Sequence, residues 1–375
     1  MKNKGRLRIA IFEPSRSFPP GGKNMDSIAL HLSEKHDITV FTQRLVKDGA
    51  TFKNSKINFI KPKSRFLAPF AFLKKNINEK DFDLIILGCF PATLTTINNC
   101  KNTPTIYISH APPRFFYDLK EHELKNSNLL GKFKVHLKNI LLKKLDYLAV
   151  QKITKILCVS KEIQGRIKKF YHRDSEVFPS GIDPKKFKTG KYENYILSVC
   201  RLVSTKRPDM ILKSMGFVKN KNIRLIVVGT GNMEEEIKNL SKKYKNVELK
   251  GFVSDKELID LYANCLAVVY VPINEDLGYA PQEAATSGKA VIGSNEGGLK
   301  ETVMNGETGF LIDDVSPEKI AEKIDFFANN PEMAEKMGKN GKKYIERFHL
   351  KNTFKILDKA VEEVIKTKKT DSKEI

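Results

Sequence analysis

The segment AVVYVPINEDLGYAPQEA, residues 267–284, contains a strand, a loop and a helix in close succession. The apolar run Ala267–Val271 has the length and composition of a buried strand. A helix is expected to begin near Tyr279–Pro281, because proline is well tolerated in a first helical turn. The loop between them presents backbone N–H groups and the positive end of the helix, which suit an anion. The segment therefore predicts a strand-loop-helix unit of an α/β fold with an anion site at its loop.

Two glutamates belong to this unit. Glu275 lies in the loop, and Glu283 lies one to two turns inside the predicted helix. One carboxylate can therefore face a reacting group while the other reaches hydroxyl groups farther away. On spacing alone, a capping acid and a helical glutamate on the surface are the simpler explanation.

Apolar runs and helix-length amphipathic stretches alternate along the whole chain. The runs are continuous rather than alternating, as in parallel strands that are covered on both faces. The candidate strands are Leu7–Phe12, Ile38–Phe41, Ile57–Ile60, Leu84–Leu87, Thr105–Ile108, Lys155–Val159, Tyr195–Val199, Arg224–Val228, Val247–Lys250, Ala267–Val271, Ala290–Ile292 and Gly309–Ile312. This order predicts two doubly wound, Rossmann-like α/β domains that face each other across a cleft at the carboxyl ends of their strands.

A boundary between the domains is expected after the turn-rich stretch Pro179–Pro184. We assign residues 1–187 to the first domain and residues 188–346 to the second. Residues 347–375 form a terminal helix with no strand after it, and this helix is expected to cross back to the first domain.

The formal net charge of +22 is concentrated in the first half, where residues 1–187 carry +19. Such asymmetry suggests an anionic partner such as nucleic acid, anionic lipid or a phosphorylated substrate, although a lysine-rich solvated surface explains it too. No nucleic-acid recognition motif is found, and nucleic acid is not expected as a partner. The apolar runs are too short to span a bilayer, and no signal peptide is expected. The five cysteines are scattered and show neither metal-ligand spacing nor a redox pair. This pattern predicts buried thiols in a reducing, cytoplasmic compartment.

The unit at residues 267–284 resembles the Glu-x7-Glu motif of glycosyltransferase family 4, a family of retaining enzymes with the GT-B architecture. Further motifs match at the expected order in the second half. These are Cys200–Lys206, Val228–Gly231, Gly251–Ser254, Gly288–Ile292, Glu296–Glu301 and Gly306–Leu311. In the first half, weaker landmarks match at Gly21-Gly22, Ser109-His110, Val159-Ser160 and Phe178–Asp183.

The resemblance implies that the first domain lies on the acceptor side and that the second binds a nucleotide sugar. It also implies roles for individual residues. Arg201 and Lys206 would hold the donor diphosphate, where fixed cations offset the charge of the leaving group. Glu283 would bind the ribose hydroxyl groups, and Glu275 would contact the transferred hexose. The remaining donor-binding residues are expected to be Gly22 at the diphosphate, Phe252 and Val253 at the base, and the backbone of Asp276, Leu277, Gly278 and Tyr279 at the hexose.

His110 follows the candidate strand Thr105–Ile108 and is expected at a carboxyl edge, where a neutral imidazole can donate to a sugar hydroxyl. The stretch His110–Asp118 resembles one in mannosyl-transferring members of the family. Together with the loop around Glu275, it favours GDP-mannose as the donor, with a UDP-sugar as the alternative. The expected catalytic residues are Glu275, His110, Arg201 and Lys206.

The family's favoured mechanism is front-face substitution, in which the leaving phosphate takes the proton of the acceptor hydroxyl. We therefore expect a metal-independent hexosyltransferase without a cofactor that acts on a glycan or a lipid-linked acceptor. A related epimerase or synthase and a non-catalytic nucleotide-sugar-binding protein remain alternatives.

Two segments of the first half suggest docking to an anionic membrane surface, on the inner face of the cell membrane. Lys61–Lys75 places apolar residues between basic flanks, and Leu129–Ile153 is long and amphipathic, with Lys132, Lys134, Lys138, Lys143 and Lys144 among leucines. Basic and apolar groups together favour such an interface. The alternative is that Phe66, Phe70 and Phe72 pack against the sheet of the first domain.

Overall fold

A computed structural model of the protein describes residues 5–14, 21–43, 55–61, 67–118 and 129–371. The chain divides into two compact units. The first comprises residues 1–180 and 353–375, and the second comprises residues 181–352.

The first unit contains a seven-stranded parallel sheet. Its strands are β1 (Arg8–Phe12), β2 (Asp37–Thr42), β3 (Ser55–Phe59), β4 (Leu84–Leu87), β5 (Thr105–Ser109), β6 (Lys155–Cys158) and β7 (Glu176–Val177). They lie in the order β3-β2-β1-β4-β5-β6-β7. The order reverses between β1 and β4, and this switch point is where open α/β sheets bind their ligands.

The second unit contains a six-stranded parallel sheet. Its strands are β8 (Tyr195–Val199), β9 (Arg224–Val228), β10 (Val247–Gly251), β11 (Ala267–Tyr270), β12 (Ala290–Ser294) and β13 (Gly309–Ile312). They lie in the order β10-β9-β8-β11-β12-β13, so the switch point falls between β8 and β11. Neighbours along one strand face opposite sides and both are buried: Val268 belongs to one core cluster and Val269 to the other. Burial on both faces confirms the parallel, doubly wound sheet expected from the continuous apolar runs.

Helices connect the strands of both units. They are α1 (Gly21–Lys35), α2 (Ala68–Leu73), α3 (Leu129–Gln151), α4 (Lys161–Tyr171), α5 (Pro208–Ser214), α6 (Glu234–Ser241), α7 (Asp255–Asn264), α8 (Tyr279–Thr286), α9 (Leu299–Thr302), α10 (Pro317–Asn329), α11 (Pro331–Tyr344) and α12 (Leu350–Asp371).

The C-terminal helix α12 packs on the first unit. Its residues Leu357 and Val361 belong to the same buried cluster as Ile9 and Met25. His31 stacks on Phe354 with ring centroids 4.2 Å apart, and its Nε2 lies 2.8 Å from a carboxylate oxygen of Asp358. The helix is therefore an integral part of that core, although it begins 173 positions after Val177, the last residue of the sheet.

The division between the units lies at residues 180/181, seven residues before the boundary assigned from the sequence. Ile182 explains the position, because its N–H donates to the carbonyl of Phe348 at 2.9 Å and its carbonyl accepts from the N–H of Leu350 at 3.1 Å. The chain that enters the second unit is thus paired with the chain that leaves it. Hydrogen bonds between residues so far apart in the sequence leave no local pattern from which the boundary could be predicted.

Candidate functional site

The switch point of the second unit gathers the polar residues that follow β8 and β11. Arg201 and Lys206 lie in the segment after β8, and Tyr270 ends β11 with Glu275 in the loop after it. The charges of Lys206, Glu275 and Arg201 all act on the buried thiol of Cys200, whose pKa burial raises to about 11. The three predicted charged residues therefore lie near Cys200, at the same carboxyl edge.

Lys206, Glu275 and Tyr270 form a contact group at this point. The ammonium of Lys206 forms an ion pair with Oε2 of Glu275 and donates to the hydroxyl of Tyr270 at 2.9 Å. The side chains of Lys206 and Glu275 are only 15% and 13% exposed. Burial, and then the negative charge of Glu275, raise the pKa of Tyr270 well above its usual value, so its hydroxyl stays protonated. The site thus holds a shielded cation that an incoming anion can reach only by competing with a carboxylate.

Backbone contacts fix the loop that carries Glu275. The N–H of Gly298 donates to the carbonyl of Glu275 at 2.7 Å. A Cβ at Gly297 would collide with the carbonyl oxygen of Glu275, and one at Gly298 would collide with that of Asp276. The double glycine after β12 is therefore required by the close approach of two backbones.

Glu296 fixes the same loop through an ion pair and a hydrogen bond. Arg207, which has a left-handed backbone conformation with φ +50°, donates through Nη1 to Oε1 of Glu296 at 2.7 Å. The other oxygen of Glu296 accepts from the N–H of Asn274 at 3.1 Å. These contacts of Glu296 were not predicted, because an arginine and a glutamate 89 positions apart give no pairing signal in the sequence.

Glu283 lies in the second turn of α8, and its carboxylate accepts a hydrogen bond from the hydroxyl of Tyr262 at 2.9 Å. Tyr262 is fully buried on α7, and burial with the charge of Glu283 raises its pKa well above the usual value. Gly278, at φ +89°, precedes the first residue of α8. A buried tyrosine thus holds Glu283, and another, Tyr270, contacts the ion-pair partner of Glu275; neither was among the predicted donor-binding residues.

The segment that carries Arg201 is held by the turn after β9. The N–H of Leu202 donates to the carbonyl of Thr230 at 2.9 Å, and a Cβ at Gly229 or Gly231 would collide with carbonyl oxygens of this segment. The glycine turn therefore serves backbone packing beside the site. The side chain of Arg201 is exposed.

Phe252 and Val253 follow the end of β10. Phe252 is 84% exposed, the most exposed of the large apolar side chains in the part of the chain that the structure describes. Val253 packs against the core cluster that contains Tyr262. An aromatic ring displayed in this way offers a surface on which a planar base can stack, so a role in base binding stays a prediction.

The carboxyl edge of the first unit carries a different set of polar residues. His110 follows β5; its Nε2 is buried without a hydrogen-bond partner among the described residues, and burial lowers its pKa to about 4. The imidazole is therefore neutral at neutral pH. Gly22, expected in a glycine loop, lies in the first turn of α1.

Sequence reasoning missed Glu13, which directly follows β1 at the switch point of the first unit. It is 4% exposed, and burial raises its pKa to about 8. The thiol of Cys89, which follows β4, donates to its carboxylate at 3.5 Å. A charged residue at the end of an apolar strand was the available signal.

Within the described residues, no group of three histidine, cysteine or acidic side chains is arranged to hold a metal ion. None of the helices described there has the length and hydrophobicity needed to cross a membrane.

Comparison with known proteins identifies both halves of the chain. Residues 24–186 match the model of Glycosyltransferase Family 4, and residues 181–344 match that of Glycosyl transferases group 1. An uncharacterized glycosyltransferase of Methanocaldococcus jannaschii is 28% identical over 197 residues, which are 52% of this chain and 55% of the relative. Alpha-1,3/1,6-mannosyltransferase ALG2 of Dictyostelium discoideum is 32% identical over 121 residues, 31% of this chain and 29% of the relative. The chain thus spans about half or less of the length of these curated relatives.

Solved structures share the fold. HepE of Anabaena, crystallised in complex with UDP and glucose, superposes with a TM-score of 0.75 at 16% identity, covering 96% of this chain and all of HepE. The likeness confirms the expected GT-B fold class. The two family models together cover residues 24–344, so the chain contains a domain of Glycosyltransferase Family 4 followed by one of the group 1 glycosyl transferases.

Proposed function

We propose that the protein transfers a hexose from a nucleotide sugar, with retention, to a glycan or lipid-linked acceptor. The observation that carries the proposal is the shielded Lys206 beside Glu275 at the switch point of the second unit. A shielded cation is costly unless an anion compensates it, and Glu275 is that anion here. Because the cation lies at the edge where such sheets bind ligands, the diphosphate of a donor can take the place of the carboxylate.

The proposed chemistry breaks the bond between the hexose and the diphosphate and forms one to the acceptor oxygen on the same face. The leaving phosphate carries away the bonding electrons and accepts the proton of the acceptor hydroxyl. Lys206 and Arg201 stabilise the developing negative charge, and the N-terminus of α8 adds to it. Glu275 orients the hexose and Glu283 the ribose. In the first unit, neutral His110 donates to a sugar hydroxyl. This route needs no metal or further cofactor.

GDP-mannose is the proposed donor. The support is the resemblance of the Glu275 loop and of His110–Asp118 to mannosyltransferases, and the relative ALG2 is itself named a mannosyltransferase. A UDP-sugar is the second candidate, because HepE has been crystallised with UDP and glucose.

A thermal-shift panel of GDP-mannose, UDP-glucose and UDP-N-acetylglucosamine tests the donor, since a ligand that binds the native state raises Tm. Turnover is then followed as release of the nucleoside diphosphate, with and without glycan or lipid-linked acceptors. Stabilisation and turnover with a UDP-sugar alone would refute GDP-mannose. Stabilisation without turnover of any donor would favour a non-catalytic binding protein. Formation of a new nucleotide sugar would identify an epimerase.

A peripheral location on the inner, cytoplasmic face of the membrane is the second part of the proposal. Phe59, Leu67 and Phe70 are 47%, 42% and 37% exposed. Together with Lys61, Lys74 and Lys75 they line a surface groove of about 460 Å³. On α3, three further apolar residues are exposed beside Lys143 and Lys144: Ile140, Leu141 and Leu148. Exposed apolar groups among lysines suit an anionic lipid surface.

The alternative, that the phenylalanines belong to the core, holds for Phe72, which is fully buried, but not for Phe70. Phe66 and the side chains of Lys132, Lys134 and Lys138 lie outside the described residues.

Vesicle flotation tests the membrane proposal. The protein should co-float with vesicles that contain anionic lipid, should not co-float with neutral vesicles, and should dissociate as salt rises. The variant K74E/K75E should float less, whereas K242E/K243E, which reverses two exposed lysines of the second unit, should float like the wild type. Equal loss in both variants would indicate a response to total charge only. Indifference of the wild type to anionic lipid would favour a water-soluble acceptor.

A further inference from the structure

Glu296 contacts both segments that carry the ion pair of the site. Its Oε1 accepts from Nη1 of Arg207 at 2.7 Å, and its Oε2 accepts from the N–H of Asn274 at 3.1 Å. Arg207 directly follows Lys206 in the chain, and Asn274 directly precedes Glu275. A single carboxylate therefore connects the residue next to the cation with the residue next to the anion.

The order of the sheet explains how one side chain reaches both segments. β8, β11 and β12 are neighbours, so the segments that follow them lie side by side at the carboxyl edge. The segment after β12 runs along the loop after β11. Oγ of Ser294 donates to the carbonyl of Pro272 at 2.7 Å, and the N–H of Gly298 donates to that of Glu275 at 2.7 Å. Between these two contacts, the side chain of Glu296 also reaches the segment after β8.

Both residues that Glu296 binds have a left-handed backbone, with φ +50° at Arg207 and +44° at Asn274. Asparagine adopts this conformation readily, whereas arginine seldom does, and such a backbone persists where surrounding contacts hold it. The side chain of Arg207 is 17% exposed, and its Nη1 also lies 3.3 Å and 3.4 Å from the carbonyl oxygens of Val271 and Pro272. Glu296 therefore holds the turn that follows Lys206 and the turn that precedes Glu275.

Binding of the donor would remove another link between the same segments. In the proposed function, Lys206 exchanges the carboxylate of Glu275 for phosphate oxygens, so their ion pair is lost. The N–H of Ile273 still donates to the carbonyl of Thr205 at 2.8 Å, which keeps the two segments adjacent. Glu296 still fixes the turns from which the two side chains project.

We propose that Glu296 is a positioning residue, which keeps Glu275 directed toward the hexose while the donor diphosphate engages Lys206. The inference rests on the proposed function of this site. It assigns to Glu296 an effect on the chemical step rather than on binding of the nucleotide. A lysine on its flexible stem can follow the phosphate oxygens, whereas the carboxylate of Glu275 must keep its orientation to the reacting sugar.

The test compares E296Q with the wild type in two measurements: binding of the nucleoside diphosphate alone, by calorimetry, and kcat for hexose transfer. Glutamine keeps the shape but has one acceptor oxygen, so it can serve only one of the two donors. E296Q should bind the diphosphate within about 3-fold of the wild type. It should lose on the order of 10-fold to 100-fold in kcat, because small misplacements of a reacting group cost that much.

D325N is the matched control in the same unit. Asp325 also ties down a loop, since it accepts from the N–H groups of Lys219 and Asn220, each at 2.9 Å. That loop precedes β9 and so lies at the amino edge of the sheet, away from the site. D325N should therefore keep the kcat of the wild type.

A purely structural role predicts a different pattern. In that case E296Q and D325N would lower Tm alike, and binding and kcat of E296Q would fall in parallel. A second readout uses the double variant E275Q/E296Q. If Glu296 acts through Glu275, adding E296Q to E275Q should change kcat by less than about 3-fold, because coupled residues are not additive.

Unchanged kcat in E296Q, parallel loss of binding and kcat, or additive effects with E275Q would each overturn the inference and leave the proposed function intact. A wild type that turns over no nucleotide sugar would overturn both.

Discussion

Removal of the shielded cation is the most direct perturbation of the site. In K206A, the carboxylate of Glu275 loses its ion-pair partner. Removing one partner of a fully buried pair costs about 3–5 kcal/mol. Because both side chains keep 13–15% of their surface exposed to water, we expect a smaller loss of about 1–3 kcal/mol. For a unit of this size the corresponding fall in Tm is about 2–4 °C per kcal/mol.

The effect on turnover should be larger than the effect on stability. A donor aimed at a developing anion typically contributes on the order of 10²–10³ in kcat. K206A should therefore release nucleoside diphosphate that much more slowly, in an assay run well below its Tm. K213A is the control, because Lys213 pairs with Asp209 at 2.8 Å on the exposed surface of α5, where a pair contributes little.

The double variant K206M/E275Q separates the two effects. With both charges gone, no uncompensated charge is left in the site, so Tm should return toward that of the wild type while turnover stays low. Near wild-type turnover in K206A would refute the assignment of Lys206 to the diphosphate. A double variant that melts as low as K206A would refute the argument that the loss of stability comes from the unpaired Glu275.

Three further predictions concern the supports of the site and the first unit. In G298A, the new Cβ meets the backbone of Asp276 and Leu277, so turnover should fall at least about 10-fold and stability by about 1–3 kcal/mol; G165A, with open space around it, should not lose stability. Y262F removes the hydrogen bond that Tyr262 donates to the carboxylate of Glu283 and should raise the Kd of the nucleoside diphosphate about 5-fold to 10-fold, measured by calorimetry. Glu13 has a pKa raised to about 8, so the folded protein binds a proton there that the unfolded chain releases near pH 4.5. Between these pH values the free energy of unfolding should therefore fall as pH rises. In denaturant titrations the wild type should lose up to about 1.4 kcal/mol per pH unit relative to E13Q. The same dependence of unfolding free energy on pH in both proteins would refute this.

Much of the fold follows from the sequence because parallel strands covered on both faces are continuous apolar runs. Every strand candidate corresponds to an observed strand, and no end differs by more than two residues. The two-residue strand Glu176–Val177 was missed, since two residues carry no period. The sequence does not show which residues α12 contacts in the first unit. Its neighbours there, such as Ile9 and Met25, are distant along the chain and become apparent only in the folded core.

The charged candidates Lys206, Glu275 and Glu283 were proposed from the sequence. Tyr270, which contacts Lys206, and Tyr262, which contacts Glu283, were not among the predicted binding residues. Lys206 and Glu275 each belong to a motif that is continuous in the sequence and can be recognised without knowing the fold. Tyr270 sits in the run AVVYV, where a tyrosine reads as another core residue. Its importance depends on the adjacency of β8 and β11, which are separated by two strands along the chain. Glu13 was missed for the same reason, because the burial of its carboxylate depends on the adjacent strand β4.

The ion pair also affects how tightly the donor binds. Lys206 already has a carboxylate partner in Glu275, so a diphosphate that replaces it gains only the difference between the two contacts and meets the negative charge of Glu275. E275Q removes that charge and leaves an amide that competes weakly for the ammonium. The nucleoside diphosphate should therefore bind E275Q more tightly than the wild type, by about 5-fold to 10-fold, or about 1 kcal/mol or slightly more. Hexose transfer should nevertheless become slower, because the carboxylate that orients the sugar is lost. Calorimetry with the diphosphate and kcat for transfer should thus change in opposite directions. Weaker binding in E275Q would show that Glu275 supports the diphosphate site, and that the pair with Lys206 does not compete with the ligand.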